Sequence, residues 1–248
     1  MHALMRHLHD HASTATDTTP STVTRGLVLD QGWRYDLTLW IGDTLIFRGQ
    51  LRVMRRKTLD RARIQPGEAV LDVGCGTGPL ALDVGRQVGR AGRVVGVDPA
   101  AAQIARARAN AARRHVPVEF QTGVIERLDF ADGTFDVVLS TLMMHHLPAS
   151  LKRQSLAELA RVLKPGGRLV IADFPRQRDR QGRAARLHAC GSDLDGRAAL
   201  VRDAGFAQVT SEDTRPRRFT AFPGADFVTA LKRWVGAAAA LIGPHLAT

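Results

Sequence analysis

Cysteine, tyrosine and long apolar segments are all scarce in this chain of 248 residues, which contains two cysteines and one tyrosine. Two cysteines do not make the disulfide framework of a small secreted domain. No apolar run reaches the roughly 18 residues that are needed to span a bilayer, and the first residues lack the apolar stretch of a signal peptide. These absences predict a soluble protein, and a reducing, cytoplasmic location is the default expectation.

Acidic residues are outnumbered by basic ones, and the formal net charge is +11. The basic residues form three clusters, within 48–63, 106–114 and 176–186. Proteins that bind single-stranded nucleic acid combine such charges with aromatic rings on which bases stack, and aromatic residues make up only 5% of this chain. We therefore interpret the clusters as solvated surface, and a nucleic-acid partner is disfavoured.

The most informative stretch, residues 70–81, reads VLDVGCGTGPLA. Its apolar start suits a buried strand. Gly74, Gly76 and Gly78 then allow a tight turn and the close approach of bare backbone to a ligand, and Pro79 suits the first turn of a helix. A strand, a glycine loop and a helix in this order present backbone N–H groups to a polar ligand.

A second strand ends at Asp98, which places a carboxylate where it can accept hydrogen bonds from both hydroxyls of a ribose. Enzymes that bind NAD and enzymes that bind S-adenosylmethionine share this feature, so Asp98 alone does not separate them. The Gly-x-Gly-x-Gly spacing differs from the Gly-x-Gly-x-x-Gly fingerprint of dinucleotide-binding folds. This difference disfavours an NAD-dependent oxidoreductase.

Four segments in order carry a resemblance to a known family: VLDVGCGTG at 70–78, VGVDP at 95–99, FDVVLS at 135–140 and RVLKPGGRLVIAD at 161–173. Together they resemble the class I S-adenosylmethionine-dependent methyltransferases, especially the group that includes the ubiquinone/menaquinone methyltransferases. The resemblance runs from about residue 35 to residue 232. It implies S-adenosylmethionine as the cofactor and methyl transfer as the reaction.

Strand-like and helix-like segments alternate along the core, which predicts an α/β protein with a mostly parallel sheet. The predicted strands cover 69–73, 93–97, 118–121, 135–140, 169–172, 206–212 and 227–231, and the predicted helices cover 79–89, 101–114, 151–163 and 195–204. The last two strands are predicted to form an antiparallel hairpin at the sheet edge. The resemblance implies that these seven strands form a Rossmann-like class I methyltransferase fold.

The chain is predicted to have four parts. Residues 1–24 are polar and without periodicity, so a disordered arm is expected, and nothing positions its histidines to form a metal site. Residues 25–64 are predicted to form a helical cap, and residues 65–233 the core that binds S-adenosylmethionine. Residues 234–248 are apolar and Ala-rich, and are interpreted as a short helix, a packing arm or a contact in a homodimer.

The resemblance implies a role in cofactor binding for several residues besides the three glycines. Tyr35 would lie near the methionine end of the cofactor, and Asp72 would either stabilise its ammonium group or hold the glycine loop. Asp98 would accept the ribose hydroxyls, and Pro99 would offer adenine an apolar edge. Ser140, at the end of the fourth strand, would lie beside the methionine part.

The third strand is followed by Gly123-Val124-Ile125, where the family has Gly-Asp-Ala. The carboxylate that accepts a hydrogen bond from the adenine amino group in the family is therefore missing. Backbone groups and the apolar side chains of Val124 and Ile125 are expected to hold adenine instead. This departure predicts weaker cofactor binding, not its loss.

Two histidines, His145 and His146, follow the fourth strand at the carboxyl edge of the sheet, where ligands bind in open α/β folds. Imidazole is a suitable general base near neutral pH, but a histidine here can equally brace the loop. Asp173 ends the fifth strand at the same edge. Its loop is expected either to contact substrate or to be anchored by its own hydrogen bonds.

The predicted function is methyl transfer from S-adenosylmethionine to a small organic molecule, held between the cap and the carboxyl edge of the fourth and fifth strands. Whether the acceptor atom is C, N or O stays open. An RNA or protein methyltransferase and a non-catalytic S-adenosylmethionine-binding protein are the alternatives. Arsenite methylation is disfavoured, because that chemistry uses several cysteines and Cys75 lies inside the glycine loop.

Overall fold

A seven-stranded sheet organises the computed structural model, which describes residues 24, 26, 28, 42–46, 48–174, 194–214 and 225–233. The strands are β1 (Ala69–Val73), β2 (Arg93–Asp98), β3 (Glu119–Thr122), β4 (Phe135–Thr141), β5 (Leu163–Asp173), β6 (Phe206–Thr214) and β7 (Ala225–Lys232). The helices of the described residues are α1 (Gln50–Ala62), α2 (Pro79–Val88), α3 (Ala101–Arg114), α4 (Ala149–Val162) and α5 (Leu194–Asp203). A π-helical turn (Gly42–Ile46) precedes α1, and a 3₁₀ turn (Met144–His146) precedes α4.

The strand order in the sheet is β3-β2-β1-β4-β5-β7-β6. The first five strands are mutually parallel, whereas β7 runs antiparallel to both β5 and β6. The predicted parallel sheet with an antiparallel pair at its edge is therefore confirmed. The order reverses between β1 and β4, and such a switch point opens a ligand crevice at the carboxyl ends of the strands.

Both faces of the central strands are buried, as expected for parallel strands that are covered by helices. On one face, Leu71 of β1 belongs to the same apolar cluster as Leu156 of α4. On the other face, Val70 belongs to a second cluster together with Leu82 of α2. All four side chains are at most 1% exposed. This packing fixes the strand ends, from which the loops of the crevice start.

Strand β5 differs most from its prediction. The sequence predicts that residues 165–167 end the preceding helix and that the strand covers 169–172, but α4 ends at Val162 and β5 begins at once. Leu163 pairs with Phe135 and Arg168 pairs with Val137, so the residues between them form a bulge in the strand. Gly166 lies in this bulge with a φ of 77°, a conformation that glycine adopts without strain.

The predicted cap is described only in part. Helix α1 does precede β1, and its Leu51 and Met54 pack with Phe227 of β7. Trp33, Tyr35, the arm before Thr24 and the segment 234–248 lie outside the described residues. The predictions made for those residues, including the role of Tyr35 and the homodimer contact, stay predictions.

Gly78 is required by packing at the start of α2, where it caps the helix with a φ of 83°. A Cβ atom at this position would lie 2.6 Å from Cζ of Phe120. We expect Gly78→Ala to lower the free energy of unfolding by about 2–4 kcal/mol, because left-handed strain and overpacking add. Urea unfolding measures this change.

Gly205→Ala, directly before β6, is the matched control. Gly205 also has a positive φ, of 89°, but a Cβ atom there would meet nothing within 4 Å. The loss in free energy of unfolding in the control should therefore reflect the backbone strain alone. Equal losses in the two variants would contradict the packing role of Gly78.

Candidate functional site

A cleft with an empty volume of about 1200 Å³, its open mouth included, lies at the carboxyl edge of the sheet. Its walls come from α1, from the ends of β1, β2 and β4, and from the loops that follow β1, β3 and β4. Thr24, Gly26 and Val28 close one side. The cleft therefore lies where the reversal of strand order predicts a ligand site.

Asp98 organises the glycine loop through hydrogen bonds to backbone N–H groups. Its Oδ2 accepts from Gly76 N–H at 2.9 Å, and its Oδ1 accepts from Ala100 N–H at 3.0 Å, just before α3. Gly74 N–H donates to the carbonyl of Val97 at 2.8 Å, which ties the loop to the end of β2. These bonds hold the Asp98 carboxylate at the end of β2, beside the glycine loop and in the wall of the cleft.

Most of the predicted site residues line the cleft. These are Asp72, Gly74, Gly76, Asp98, Pro99, Val124, Ile125 and His146. Gly78, Ser140 and His145 do not line it: Gly78 packs on Phe120, Ser140 is fully buried in β4, and His145 faces Asp173. Tyr35 lies outside the described residues.

Asp72 is a buried carboxyl at the end of β1 that faces the cleft. Burial raises the pKa of Asp72 to about 7; the charge of Asp98 also raises it, and a hydrogen bond from the Ala81 backbone opposes the shift. Its Oδ2 has no hydrogen-bond partner among the described residues. A cationic ligand group beside this oxygen would compensate for the buried charge.

Asp72 makes the stability of the ligand-free protein depend on pH. Its pKa in the unfolded chain is about 3.9 and in the folded protein about 7, so the folded state binds more protons between these values. Stability should therefore fall as the pH rises through this window. We expect Asp72→Asn to remove the dependence and to raise the free energy of unfolding at pH 8 by up to about 4 kcal/mol.

Urea unfolding at pH 4.5 and pH 8 measures this effect, with Asp129→Asn as the exposed control. A variant that is less stable than the parent at pH 8 would contradict the prediction. It would show that the Asp72 carboxylate holds the glycine loop, which is the other role that the sequence allows.

The loop after β3 forms the end of the cleft that is predicted to hold adenine. Val124 and Arg127 are bridged across a tight turn, and Val124 and Ile125 are buried in the cleft wall. Glu126, at the tip of this turn, also lines the cleft, and its Oε2 is buried without a hydrogen-bond partner among the described residues. Glu126 is thus a polar site residue that the sequence did not indicate.

The two histidines occupy different places. His146 lines the cleft, whereas His145 Nδ1 lies 2.6 Å from Asp173 Oδ1. The two imidazole rings are in tilted contact, with centroids 3.9 Å apart and planes inclined by 42°. Asp173 is 1% exposed and does not line the cleft. Asp173 is therefore held by hydrogen bonds within the protein, since its Oδ1 also accepts from Phe174 N–H at 2.9 Å.

Asp173 carries a buried negative charge that its neighbours stabilise. Burial alone would raise the pKa of Asp173, but the hydrogen bond and charge of His145 and the charge of Arg197 outweigh burial and lower it. Arg197 is itself buried, donates to the Phe174 carbonyl at 3.1 Å and lies 3.7 Å from Asp226 Oδ2. The ionised Asp173 favours the tautomer of neutral His145 in which Nδ1 carries the proton.

Two cleft residues had no clear sequence signal of their own. Arg55 lies in a run of basic residues that suggests only solvated surface, and Glu126 follows an apolar pair. Each has a buried polar side-chain atom without a hydrogen-bond partner among the described residues, and so has Thr141 at the end of β4, where the sequence predicts contact with the methionine part. Together with Asp72, they mark where a polar ligand would complete the site.

The residues that line the cleft fit the parts of S-adenosylmethionine. The unpartnered Oδ2 of Asp72 suits the ammonium group of the amino-acid end, and Asp98 suits the ribose hydroxyls. Pro99, Val124 and Ile125 supply an apolar wall for adenine. The described residues contain no cluster of histidine, cysteine or acidic side chains that could hold a metal ion, and none of their helices has the length and apolar character of a membrane span.

Comparisons with known proteins agree with this geometry. Residues 70–167 match the family described as "Methyltransferase domain". A demethylmenaquinone methyltransferase of Beutenbergia cavernae is 36% identical over 149 residues, which are 60% of this chain and 57% of that protein. An arsenite methyltransferase of Halobacterium salinarum is 36% identical over 156 residues, which are 60% of this chain and 39% of that protein. The chain thus matches about half the length of these relatives, or less.

The fold agrees with that of a solved methyltransferase. The crystal structure of a SAM-dependent methyltransferase from Aquifex aeolicus matches 71% of this chain and 88% of its own, with a TM-score of 0.59 and 22% identity. This likeness bears on the fold, and it confirms the predicted Rossmann-like class I architecture. The family match over residues 70–167 and the class I methyltransferase fold therefore agree with the predicted resemblance to the ubiquinone/menaquinone methyltransferases and with S-adenosylmethionine as the cofactor.

Proposed function

We propose that the protein transfers a methyl group from S-adenosylmethionine to a small organic molecule, at a hydroxyl oxygen or an acidic carbon. The observation that carries this choice of acceptor is His146 in the cleft wall, in ring contact with His145, which pairs with the buried carboxylate of Asp173. An amine acceptor needs no such base. When bound, S-adenosylmethionine supplies a methyl group on a positively charged sulfur.

The cofactor would be held along the glycine loop. We assign Asp98 to the ribose hydroxyls, Asp72 to the ammonium group, and Val124 and Ile125 to adenine. Gly74 and Gly76 let the backbone approach the ligand, because both lie in the cleft with positive φ values of 72° and 54°. Ser140 does not line the cleft, so we assign it to the packing of β4 and not to a contact with the cofactor.

His146 is assigned as the general base. Its imidazole would accept, at a ring nitrogen, the proton that the acceptor O–H or C–H group releases. His145 and Asp173 are assigned as a positioning pair: Asp173 fixes the ring of His145, and that ring supports His146 by packing against it. A base that is held in place by packing and hydrogen bonds keeps the short reach that proton transfer needs.

The acceptor would lie against apolar side chains. The cleft is lined by Leu51 and Met54 of α1 and by Leu142, Met143 and Leu147 of the loop after β4. Apolar walls with a few polar groups are typical of small-molecule pockets. The demethylmenaquinone methyltransferase relative supports an aromatic acceptor with a hydroxyl or an activated ring carbon, such as a demethylated quinone or a phenol.

The test is a methylation assay with S-adenosylmethionine and single acceptors: demethylmenaquinone in oxidised and reduced form, catechol, hydroxybenzoates, total RNA and a protein mixture. Mass spectrometry of the product identifies the methylated molecule and atom. Methylation of a phenol or quinol that His146→Ala abolishes is expected. Methylated RNA or protein alone, or cofactor binding without any methylated product, would overturn the proposal.

Arsenite is the acceptor named for the archaeal relative, and the cysteines of this chain disfavour it. Cys75 lines the cleft, but burial, with the charges of Asp72 and Asp98, raises the pKa of its thiol well above the usual value. Soft metal and metalloid ligation requires the thiolate. We further propose that the protein acts in the cytoplasm on a free small molecule. Turnover that does not change with salt concentration would agree with a small-molecule substrate, because nucleic-acid binding weakens steeply with salt.

A further inference from the structure

Arg55 of α1 is the only arginine or lysine among the described residues that line the cleft. It contributes to the wall with Leu51 and Met54 of the same helix, and the glycine loop supplies Thr77 and Pro79 to the same cleft. The side chain is 25% exposed. A cation is therefore held at the edge of a ligand site and largely removed from water.

One hydrogen-bond donor of Arg55 is not used within the described part of the chain. Its Nε is buried and has no hydrogen-bond partner there. The nearest carboxylate oxygen, Asp83 Oδ2, lies 3.9 Å from this nitrogen, which is too far for a hydrogen bond. Asp83 Oδ1 already accepts from Arg86 Nη1 at 3.0 Å. The ion pair with Asp83 thus compensates for the charge of Arg55 only in part.

Electrostatics lead to the same conclusion. Burial lowers the pKa of Arg55, against the raising effects of Asp83 and Asp43, and the guanidinium nevertheless stays charged at neutral pH. A buried donor without a partner costs free energy that a ligand acceptor would recover. The planar guanidinium matches a carboxylate, which can accept two parallel hydrogen bonds from it.

We propose that Arg55 binds a carboxylate of a ligand in the cleft. The amino-acid end of S-adenosylmethionine carries such a group, and an acidic acceptor molecule is the second source of the same chemistry. The proposal rests on cofactor binding in this cleft and not on methyl transfer to any acceptor. It assigns a residue on α1, outside the glycine loop and the strand ends, to ligand binding.

Calorimetry with two cofactor forms tests the first source. Decarboxylated S-adenosylmethionine keeps the sulfonium and the ammonium group and lacks only the carboxylate. Arg55→Met, which keeps the aliphatic packing of the side chain, should weaken S-adenosylmethionine binding about tenfold or more, the scale of a lost charge-assisted hydrogen bond. It should leave binding of the decarboxylated form unchanged. Arg56→Met, exposed on the same helix, is the matched control.

The second source is tested on the protein saturated with S-adenosylhomocysteine, by comparing the binding of 4-hydroxybenzoate and phenol. A preference for 4-hydroxybenzoate that Arg55→Met removes would place the carboxylate on the acceptor. Arg55→Lys should keep part of whichever effect is found, which separates lost charge from lost folding. Each pair of ligands, S-adenosylmethionine with its decarboxylated form and 4-hydroxybenzoate with phenol, differs by one carboxylate. If Arg55→Met leaves the preference for the carboxylate unchanged in both pairs, or weakens the two ligands of a pair equally, the proposal is wrong. This conclusion does not depend on the outcome of the methylation assay.

Discussion

Asp98→Ala is expected to weaken S-adenosylmethionine binding about 100-fold, because each charge-assisted hydrogen bond contributes roughly 1.5–3 kcal/mol. The sequence alone suggests only the loss of contacts to the ribose. The structure adds a second cause, since the same carboxylate accepts hydrogen bonds from Gly76 and Ala100. Removing the carboxylate would take away the hydrogen bonds that hold the glycine loop, as well as the acceptor for the ligand hydroxyls.

Calorimetric titration with S-adenosylmethionine and with S-adenosylhomocysteine measures the change. Asp98→Asn separates the two causes, because the amide keeps one acceptor oxygen and should lose less affinity than the alanine. Glu119→Ala is the control: this exposed acid on the neighbouring strand pairs with Arg93 and stays outside the cleft. An unchanged dissociation constant in Asp98→Ala would show that ribose binds elsewhere.

The fold follows from local sequence features, which explains why it could be predicted. Apolar β-branched runs, glycine-rich turns and helical repeats alternate from residue 69 onwards, and helix α3 has the predicted bounds of 101–114. The antiparallel pair β6–β7 was also predictable, because two strand-like segments close the core. The exception was β5. Residues 164–167 stay within the sheet because Leu163 before them and Arg168 after them both pair with β4. No local feature of the sequence indicates this pairing.

The sequence predicted the position of a candidate site residue where a single motif contains both the strand end and the chemical group. Asp72, Asp98 and the glycines belong to such motifs, and all except Gly78 line the cleft. The positions of Arg55 and Glu126 in the cleft wall could not be predicted, because they depend on which face of a helix or turn meets a distant strand end. For the same reason, the pairing of His145 with Asp173 depends on the register between β4 and β5.

The histidine pair leads to the prediction with the largest effect on catalysis. His146→Ala is expected to lower kcat by about 10²–10⁴-fold, the usual range for the loss of a general base. The dissociation constant for S-adenosylmethionine should change little, because other residues are assigned to the cofactor. Turnover is measured with the acceptor that gives most product in the assay proposed above. His115→Asn, at an exposed histidine that ends α3, is the control.

Asp173→Asn tests whether the buried pair positions that base. The asparagine amide can donate to His145 Nδ1, so the neutral ring would change tautomer and its support of His146 would weaken. We expect a smaller loss of kcat than in His146→Ala, about tenfold, and a changed ¹⁵N spectrum of both imidazoles. A kcat loss in Asp173→Asn or His145→Ala that exceeds the loss in His146→Ala would reverse the roles. His145 would then be the base, and His146 the ring that supports it.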